Sequence, residues 1–381
     1  MKKVRVGVIG CGGIATKGHL PWYWENPQAE LVAVCDEIPE VAQRTAGRWE
    51  AAHCLTDWRE LLELKDLDAV SVCAPVWTHR EMVVAAARAG KHVLCEKPMA
   101  RSLEEAQAMV EAAEAAGVNL MVGFMKRFNP GFRRIKEIID SGRIGKVYHA
   151  DIHWNLYFPP GSHPSKIFSE DERVGGGVIL DNCSHYIDLF RWLIDPEIDT
   201  VYAETSRVLP DRIYEDQATL ILRFSSGATS VLDMGFNRVE WVERSGWDKG
   251  GAYDCHFTEL GFIYGTEGTI AFEAPPFDSV EQVQIRLYLL KDHGCEFGGW
   301  HHLEVPVTRQ PGGPLSPRPV ASYAFKKQVD HFIKSIVDGT KPAVSGLDGL
   351  AVVQASEAAY ESAESGRKVS LSRKQLGTTA E

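Results

Sequence analysis

The order of patterns in the first third of this chain constrains its fold more than any other feature. Short β-branched runs at Val4–Ile9, Leu31–Cys35, Ala69–Ala74, His92–Cys95 and Leu120–Gly123 are separated by longer helical segments, among them Glu81–Ala89 and Leu103–Ala116. Runs that are apolar along their whole length predict strands covered on both faces, and the segments between them supply the cover. Ser102 with Glu105 three residues later marks a helix start, because the hydroxyl accepts from a free N–H of the first turn. The pattern predicts an α/β fold with a doubly wound parallel sheet over residues 1–125.

Beyond Pro130 the pattern changes. A helix over Gly131–Ser141 and a strand over Lys146–His153 lead into a loop rich in Pro, Gly and aromatics, and then into a helix from Val178 to Leu193. Alternating runs follow at Thr200–Leu209, Ala218–Phe224, Thr229–Phe236, Gly261–Phe272 and Val283–Leu290. Short turns such as Ser225-Ser226-Gly227 between them predict hairpins and a large, mostly antiparallel open sheet in a second α/β domain. Helices over Ser322–Asp338 and Gly349–Ser365 close that domain, expected at 126–370, and 371–381 reads as a polar tail.

A length of 381 residues suits two domains. With 41 Lys and Arg against 52 Asp and Glu, the net charge of −11 excludes nucleic acid and an anionic membrane surface as partners. The apolar run after Met1-Lys2-Lys3 is too short for a secretory signal, and no stretch approaches the ~18 apolar residues of a membrane helix. The eight cysteines are scattered and form no CxxC pair, so a cytoplasmic protein with reduced thiols is expected. His293-x-Cys295 and His301-His302 lack the ordered ligand spacing of a zinc site, so no metal is expected.

Gly10-Cys11-Gly12-Gly13-Ile14-Ala15 is G-x-G-x-x-A between a strand and a helical pattern, the context that a dinucleotide-binding turn requires. Gly10 permits the tight turn, Gly12 lets backbone approach a pyrophosphate, and Ala15 lets the helix pack closely. Asp36, 26 residues after Gly10, ends the second strand, where a carboxylate accepts from a ribose 2′-hydroxyl and repels a 2′-phosphate. Glu37 follows it, and the next cation is Arg44, which favours NAD over NADP.

Cys95-Glu96-Lys97-Pro98 places Lys97 at the carboxyl edge of the parallel sheet, where ligands bind and where a cation stabilises a developing alkoxide. Gly175-Gly176-Gly177 opens a helix on which Asp181, His185 and Asp188 share one face. The same segment carries Val178, Ile179, Leu180, Ile187, Leu189 and Phe190, so its acid and imidazole are largely buried and suit proton transfer near neutral pH.

In order along the chain, G-C-G-G-I-A, A-P-V-W-T-H (Ala74–His79), C-E-K-P, G-F-M-K-R-F-N-P (Gly123–Pro130) and G-G-G-x-x-x-D-x-x-x-H-x-x-D resemble the Gfo/Idh/MocA oxidoreductases. Val344-Ser345-Gly346-Leu347-Asp348-Gly349, followed by a helix with Glu357 and Tyr360, is similar too. The resemblance implies a Rossmann domain followed by an open-sheet domain that makes subunit contacts, in a homodimer or homotetramer. It implies an NAD-dependent dehydrogenase acting on a secondary hydroxyl of a sugar, sugar derivative or cyclitol, with Lys97, Asp181 and His185 as catalytic residues. Gly10, Gly12, Gly13, Ile14, Asp36, Ala74, Pro75, His79, Glu96, Lys97 and Arg127 would line the dinucleotide. Val76 and Met125 stand where many members carry a polar residue. Two other activities occur among relatives: elimination of a glycosidic group with tightly bound NAD and no net redox, and non-catalytic dinucleotide sensing.

On the substrate side, Lys97, Arg127, Asp181 and His185 are joined by Trp154 and Asn155 at the end of the strand, an expected substrate wall. Asn237–His256, with Trp241, Trp247, Tyr253 and His256, reads as an inserted loop, and Trp300-His301-His302 is a further aromatic cluster suited to a sugar face.

Overall fold

A computed structural model of the chain describes residues 3–157, 171–210, 212–238, 257–274, 283–290, 299–303 and 322–371. It forms two units, one of Met1–Asn129 with Arg309–Gln354, the other of Pro130–Thr308 with Ala355–Glu381.

The β-branched runs of the first unit become β1 (Val4–Ile9), β2 (Ala29–Cys35), β3 (His53–Leu55), β4 (Ala69–Val72), β5 (His92–Cys95) and β6 (Leu120–Val122). They pair in the order β3-β2-β1-β4-β5-β6, all parallel. Val6, Val8, Val70, Val72, Val93 and Leu94 are wholly buried, as double-sided cover requires. Strand order reverses on either side of β1, which opens a crevice at the carboxyl ends of β1 and β4. The short β3 was not expected, because His53-Cys54-Leu55 has little apolar character and stays largely exposed.

The helix Leu103–Ala116 starts where its cap predicts: Ser102 Oγ accepts the Glu105 N–H at 3.2 Å, and Gly117 ends the helix at φ +66°. A cap of this kind contributes about 1 kcal/mol.

The first unit runs to Asn129 rather than 125 and takes in Arg309–Gln354 from the later part of the chain. The helix Ser322–Val337, expected within 126–370, belongs with the parallel sheet. Its Phe325 ring lies against Gly18, where an added Cβ would come within 2.9 Å of it. Asp330 accepts from Asn26 Nδ2 at 2.8 Å, Ser335 Oγ from Asn119 Nδ2 at 3.2 Å, and His331 stacks tilted on Phe128 at 5.4 Å. An amphipathic helix settles on whichever apolar face it completes, and sequence adjacency does not reveal which one.

In the second unit the described strands are β7 (Val147–Leu156), β8 (Ile198–Ser206), β9 (Gln217–Phe224), β10 (Thr229–Gly235), β11 (Phe257–Gly265), β12 (Gly268–Glu273), β13 (Gln284–Leu289), β14 (Gly299–Leu303) and β15 (Val369–Ser370). Their order is β14-β13-β12-β11-β7-β10-β9-β8-β15, antiparallel throughout except for the parallel pair β7–β10. The expected single run Gly261–Phe272 is a hairpin of two strands. Thr266 and Glu267 turn the chain between Gly265 and Gly268, their N–H groups donating to the Lys146 and Ile144 carbonyls.

Alternation sorts the sheet's two faces. Leu220, Leu222, Leu232, Ile152 and Ile263 are buried, while Ile221, Val231, Asp151 and Phe262 lie on the opposite, more open face. The helix Pro130–Asp140 packs on the sheet through Phe132, edge-on to Phe272 at 5.5 Å.

Candidate active-site residues

In the first unit β1 ends in Gly10 at φ +86°, where an added Cβ would lie 2.6 Å from the Cys73 carbonyl oxygen and 2.9 Å from the Ala74 nitrogen. Only glycine fits there. Gly12 and Gly13 are the opposite case: they are exposed, and a Cβ on either would project into open space. Their lack of side chains therefore answers to no neighbour within the protein, and it leaves a bare backbone ledge of the kind a pyrophosphate needs.

The ledge is tied to the end of β2. Asp36 Oδ2 accepts the Cys11 N–H at 2.8 Å, and Oδ1 accepts the Ile38 N–H at 3.0 Å. Both bonds fix a half-buried carboxylate beside the loop while leaving lone pairs for a ribose hydroxyl. Burial, and then the charge of Asp36, push the Cys11 thiol up to about 12, so it stays protonated. Ile14 is half-buried, and the helix opens with a wide turn over Ala15–His19. These residues fit an NAD group.

Ala74 and Pro75 are half-exposed after β4, and Pro75 leads into the helix Val76–Arg88. Lys97 is half-buried beyond β5 and donates its N–H to Glu96 Oε2 at 3.1 Å. Three residues expected to line the dinucleotide also bond within the protein. His79 is 1% exposed, its Nε2 2.8 Å from the Ala74 carbonyl and its Nδ1 3.0 Å from that of Pro98, so it ties two site loops together. Burial holds its pKa below the usual imidazole value, despite carbonyls that favour a proton.

Glu96 is buried as well, with Oε1 2.8 Å from His19 Nε2, while His19 Nδ1 and the Tyr23 hydroxyl both meet Ser71 Oγ, at 3.1 and 2.6 Å. Arg127 is 8% exposed, its guanidinium bonded to Asp348 Oδ1 at 3.0 Å and to the Ala343 carbonyl at 3.2 Å. Asp348 Oδ2 in turn accepts from the Ser345 N–H and hydroxyl, at 2.8 and 2.9 Å. Each of these three side chains thus ties its own segment to another: His79 to Ala74 and Pro98, Glu96 to His19, and Arg127 to Ala343 and Asp348.

In the second unit Asp181 and His185 lie on one continuous helical segment, which opens with a wide turn over Ile179–Cys183 and continues as a regular helix over Ser184–Leu193. An expected uniform helix from Val178 thus contains one extra residue in its first turn, a feature common at functional sites. Asp181 is half-buried, with Oδ2 accepting from Asn182 Nδ2 at 3.2 Å; His185 is 4% exposed and Asp188 fully buried.

Trp154, expected in a substrate wall, is 1% exposed and packs edge-on to Phe236 at 5.7 Å. Its neighbour Asn155 is equally buried. Asn237 donates to Asp216 Oδ1 at 3.1 Å and Arg238 to both oxygens of Asp233; Trp241, Trp247, Tyr253, His256, His293 and Cys295 lie outside the described residues. His301 and His302 sit on β14, paired with Leu287 and Arg286.

Glu215 and Tyr360 form a contact that sequence reading did not single out. Glu215 accepts from Gly177 and Ile179 at the start of the Asp181 helix, and from the Tyr360 hydroxyl at 2.9 Å. Separations of 36 and 145 residues leave no local signal of such a contact. Among the described residues no group of three His, Cys, Asp or Glu is placed to hold a metal, and no helix is long and apolar enough to cross a membrane.

Residues 4–124 match the oxidoreductase family with an NAD-binding Rossmann fold, and residues 132–271 match the Gfo/Idh/MocA C-terminal domain. The chain is 30% identical to myo-inositol 2-dehydrogenase of Thermotoga maritima over 97% of its length and 98% of that protein. It is 26% identical to levoglucosan dehydrogenase of Pseudarthrobacter phenanthrenivorans, over 95% of this chain and 97% of that one. A solved levoglucosan dehydrogenase in complex with NADH and levoglucosan superposes with a TM-score of 0.81 at 26% identity, over 97% of this chain and 99% of the other. The bare ledge at Gly12–Gly13, the anchored Asp36 and the strand order around β1 are thus those of a member, and the chain belongs to the Gfo/Idh/MocA family of oxidoreductases.

Proposed function

We propose that this chain is an NAD-dependent dehydrogenase that oxidises a secondary hydroxyl of a ring polyol, a sugar, sugar derivative or cyclitol, with Lys97, Asp181 and His185 as its catalytic residues. The observation that carries the reading is the exposed, side-chain-free ledge at Gly12 and Gly13 beside the anchored carboxylate of Asp36. Relatives named for myo-inositol and levoglucosan support the substrate class.

NAD, when bound, supplies the hydride acceptor. The chain's own work is proton handling and charge stabilisation. His185 takes the hydroxyl proton, since imidazole accepts and returns a proton near neutral pH. Asp181, one turn earlier on the same helix, orients that imidazole and favours its protonated form. Lys97 steadies the oxygen as it acquires negative charge. Gly10, Gly12, Gly13, Ile14, Asp36, Ala74 and Pro75 hold the dinucleotide, with His79, Glu96 and Arg127 fixing the loops around it.

The protein is assigned to the cytoplasm, in keeping with the free thiols of Cys11, Cys35, Cys54, Cys73, Cys95 and Cys183. A homodimer or homotetramer would bury the open sheet face that bears Ile221, which is 43% exposed.

The test is NADH formation across inositols, aldoses, uronates and glycosides, with wild type and Lys97→Ala. Turnover that falls by a factor of order 10² or more in the variant, while NADH binding persists, is the expected result. Equal rates for the two proteins remove Lys97 from the chemistry and overturn the mechanism.

A further inference from the structure

The three glycines that open the Asp181 helix are not equivalent. Gly175 adopts φ +82°, which a side chain resists, whereas Gly176 and Gly177 have ordinary backbone angles and are buried. A Cβ on Gly176 would run into the Tyr360 hydroxyl, and one on Gly177 into the Glu215 carbonyl. What these two glycines permit is therefore close approach.

The contact made there is extensive. Glu215 Oε1 and Oε2 each lie 3.1 Å from the Gly177 nitrogen, and Oε1 also accepts the Ile179 N–H at 3.0 Å. The Val178 N–H donates to the Glu215 main-chain oxygen at 3.1 Å. Three consecutive donors of the helix start thus end on one residue. Glu215 lies just ahead of β9, and Tyr360, on the helix Gly346–Ser365, donates its hydroxyl to Oε1. Free N–H groups at a helix start are ordinarily satisfied by a local cap. Here the cap comes from a remote segment and is braced by a third element.

The turn that follows is the wide one over Ile179–Cys183, which contains Asp181. A wide turn and a regular α-turn differ by one residue of register, so relaxing one into the other rotates Asp181 by about 100° relative to His185. We propose that Glu215, braced by Tyr360, is a positioning residue that holds this wide turn and so sets Asp181 against His185 for proton transfer. The assignment rests on the catalytic roles given above.

The experiment uses Glu215→Ala, Glu215→Gln and Tyr360→Phe in the full chain. It reads kcat and KM on a substrate found active, and the imidazole NMR signals of selectively labelled histidine, with His185 assigned by its loss in His185→Gln. In Glu215→Ala, kcat falls about 10–100-fold with KM for NAD unchanged, and the His185 signal moves while those of His19 and His79 stay. Glu215→Gln, which keeps an acceptor for the Gly177 and Ile179 N–H groups, recovers most of the rate. Added to His185→Gln, Glu215→Ala costs nothing further. An unmoved His185 signal with wild-type kcat overturns the proposal, as does an equal loss in the His185→Gln background. A moved signal in a protein silent toward every substrate upholds the positioning and sinks the dehydrogenase reading. Should Glu215→Ala fail to fold, Tyr360→Phe and Glu215→Gln must move the same signal for the proposal to stand.

Discussion

The Cys11 N–H donates to Asp36 Oδ2 at 2.8 Å, which ties the second residue of the glycine turn to the acid just past the end of the second strand. The carboxylate thereby shapes the glycine ledge, and under the proposed function it would also present negative charge where NAD and NADP differ.

Asp36→Ala removes both. A hydrogen bond to a charged group is worth about 1.5–3 kcal/mol, so KM for NAD should rise roughly 10- to 150-fold. KM for NADP should rise far less or fall, because the repulsion of a 2′-phosphate is gone. The two KM values, measured side by side, check this; parallel losses for both cofactors would deny Asp36 any part in the choice.

Gly10 and Gly12 differ in what surrounds them, and their alanine variants should differ in kind. Gly10→Ala forces a left-handed backbone on a side chain that also meets the Cys73 carbonyl, so it should lose stability by at least about 1–3 kcal/mol. Gly12→Ala should melt with the wild type, since its Cβ meets nothing in the protein, yet bind NADH about tenfold or more weaker. Thermal melts and NADH titrations on both variants separate the outcomes. A Gly12→Ala protein with intact NADH affinity would show that the ledge holds no dinucleotide.

His79 gives a pH signature. Its pKa is lowered in the folded protein, so as pH falls below about 6.5 the unfolded chain takes up a proton that the folded one resists. The stability tied to neutral His79 is fully present above that pH and is lost as pH falls through the lowered value. Melting temperatures of wild type and His79→Gln, taken from pH 7.5 to pH 5, should converge toward acid, at a limiting slope near 1.4 kcal/mol per pH unit. Curves that stay parallel would mean that His79 does not titrate differently on unfolding.

The parallel sheet was legible because each of its longer strands is apolar on both faces and sits next to a glycine or a helix cap. β1, β5 and the helix Leu103–Ala116 fall on the residues expected. Burial of His185 and partial burial of Asp181 were legible because their segment is otherwise apolar, and that is what singles them out as candidates. What lies behind them was not. Arg127 finds Asp348, 221 positions later, and Glu215 finds Gly177 across 38; no local pattern records a partner at such distances. For the same reason His79 and Glu96 read as ligand-facing: sequence shows that a polar residue lies near a loop but not which way it turns. Composition could not show that Trp154 packs on Phe236, since a strand-end indole packs as readily as it lines a surface.

The helix Ser322–Val337 has a consequence for how the protein is made. It supplies Phe325 against Gly18, Asp330 to Asn26 and Ser335 to Asn119, so the dinucleotide-binding half is finished by residues translated some 200 positions after its last strand. During synthesis the strands of that half emerge well before this helix and stand with one flank open until it too has left the ribosome. A fragment cut after Asn129 would carry the entire glycine turn and yet lack the helix that holds it from behind. The order of residues along the gene is therefore not the order in which the two halves become whole.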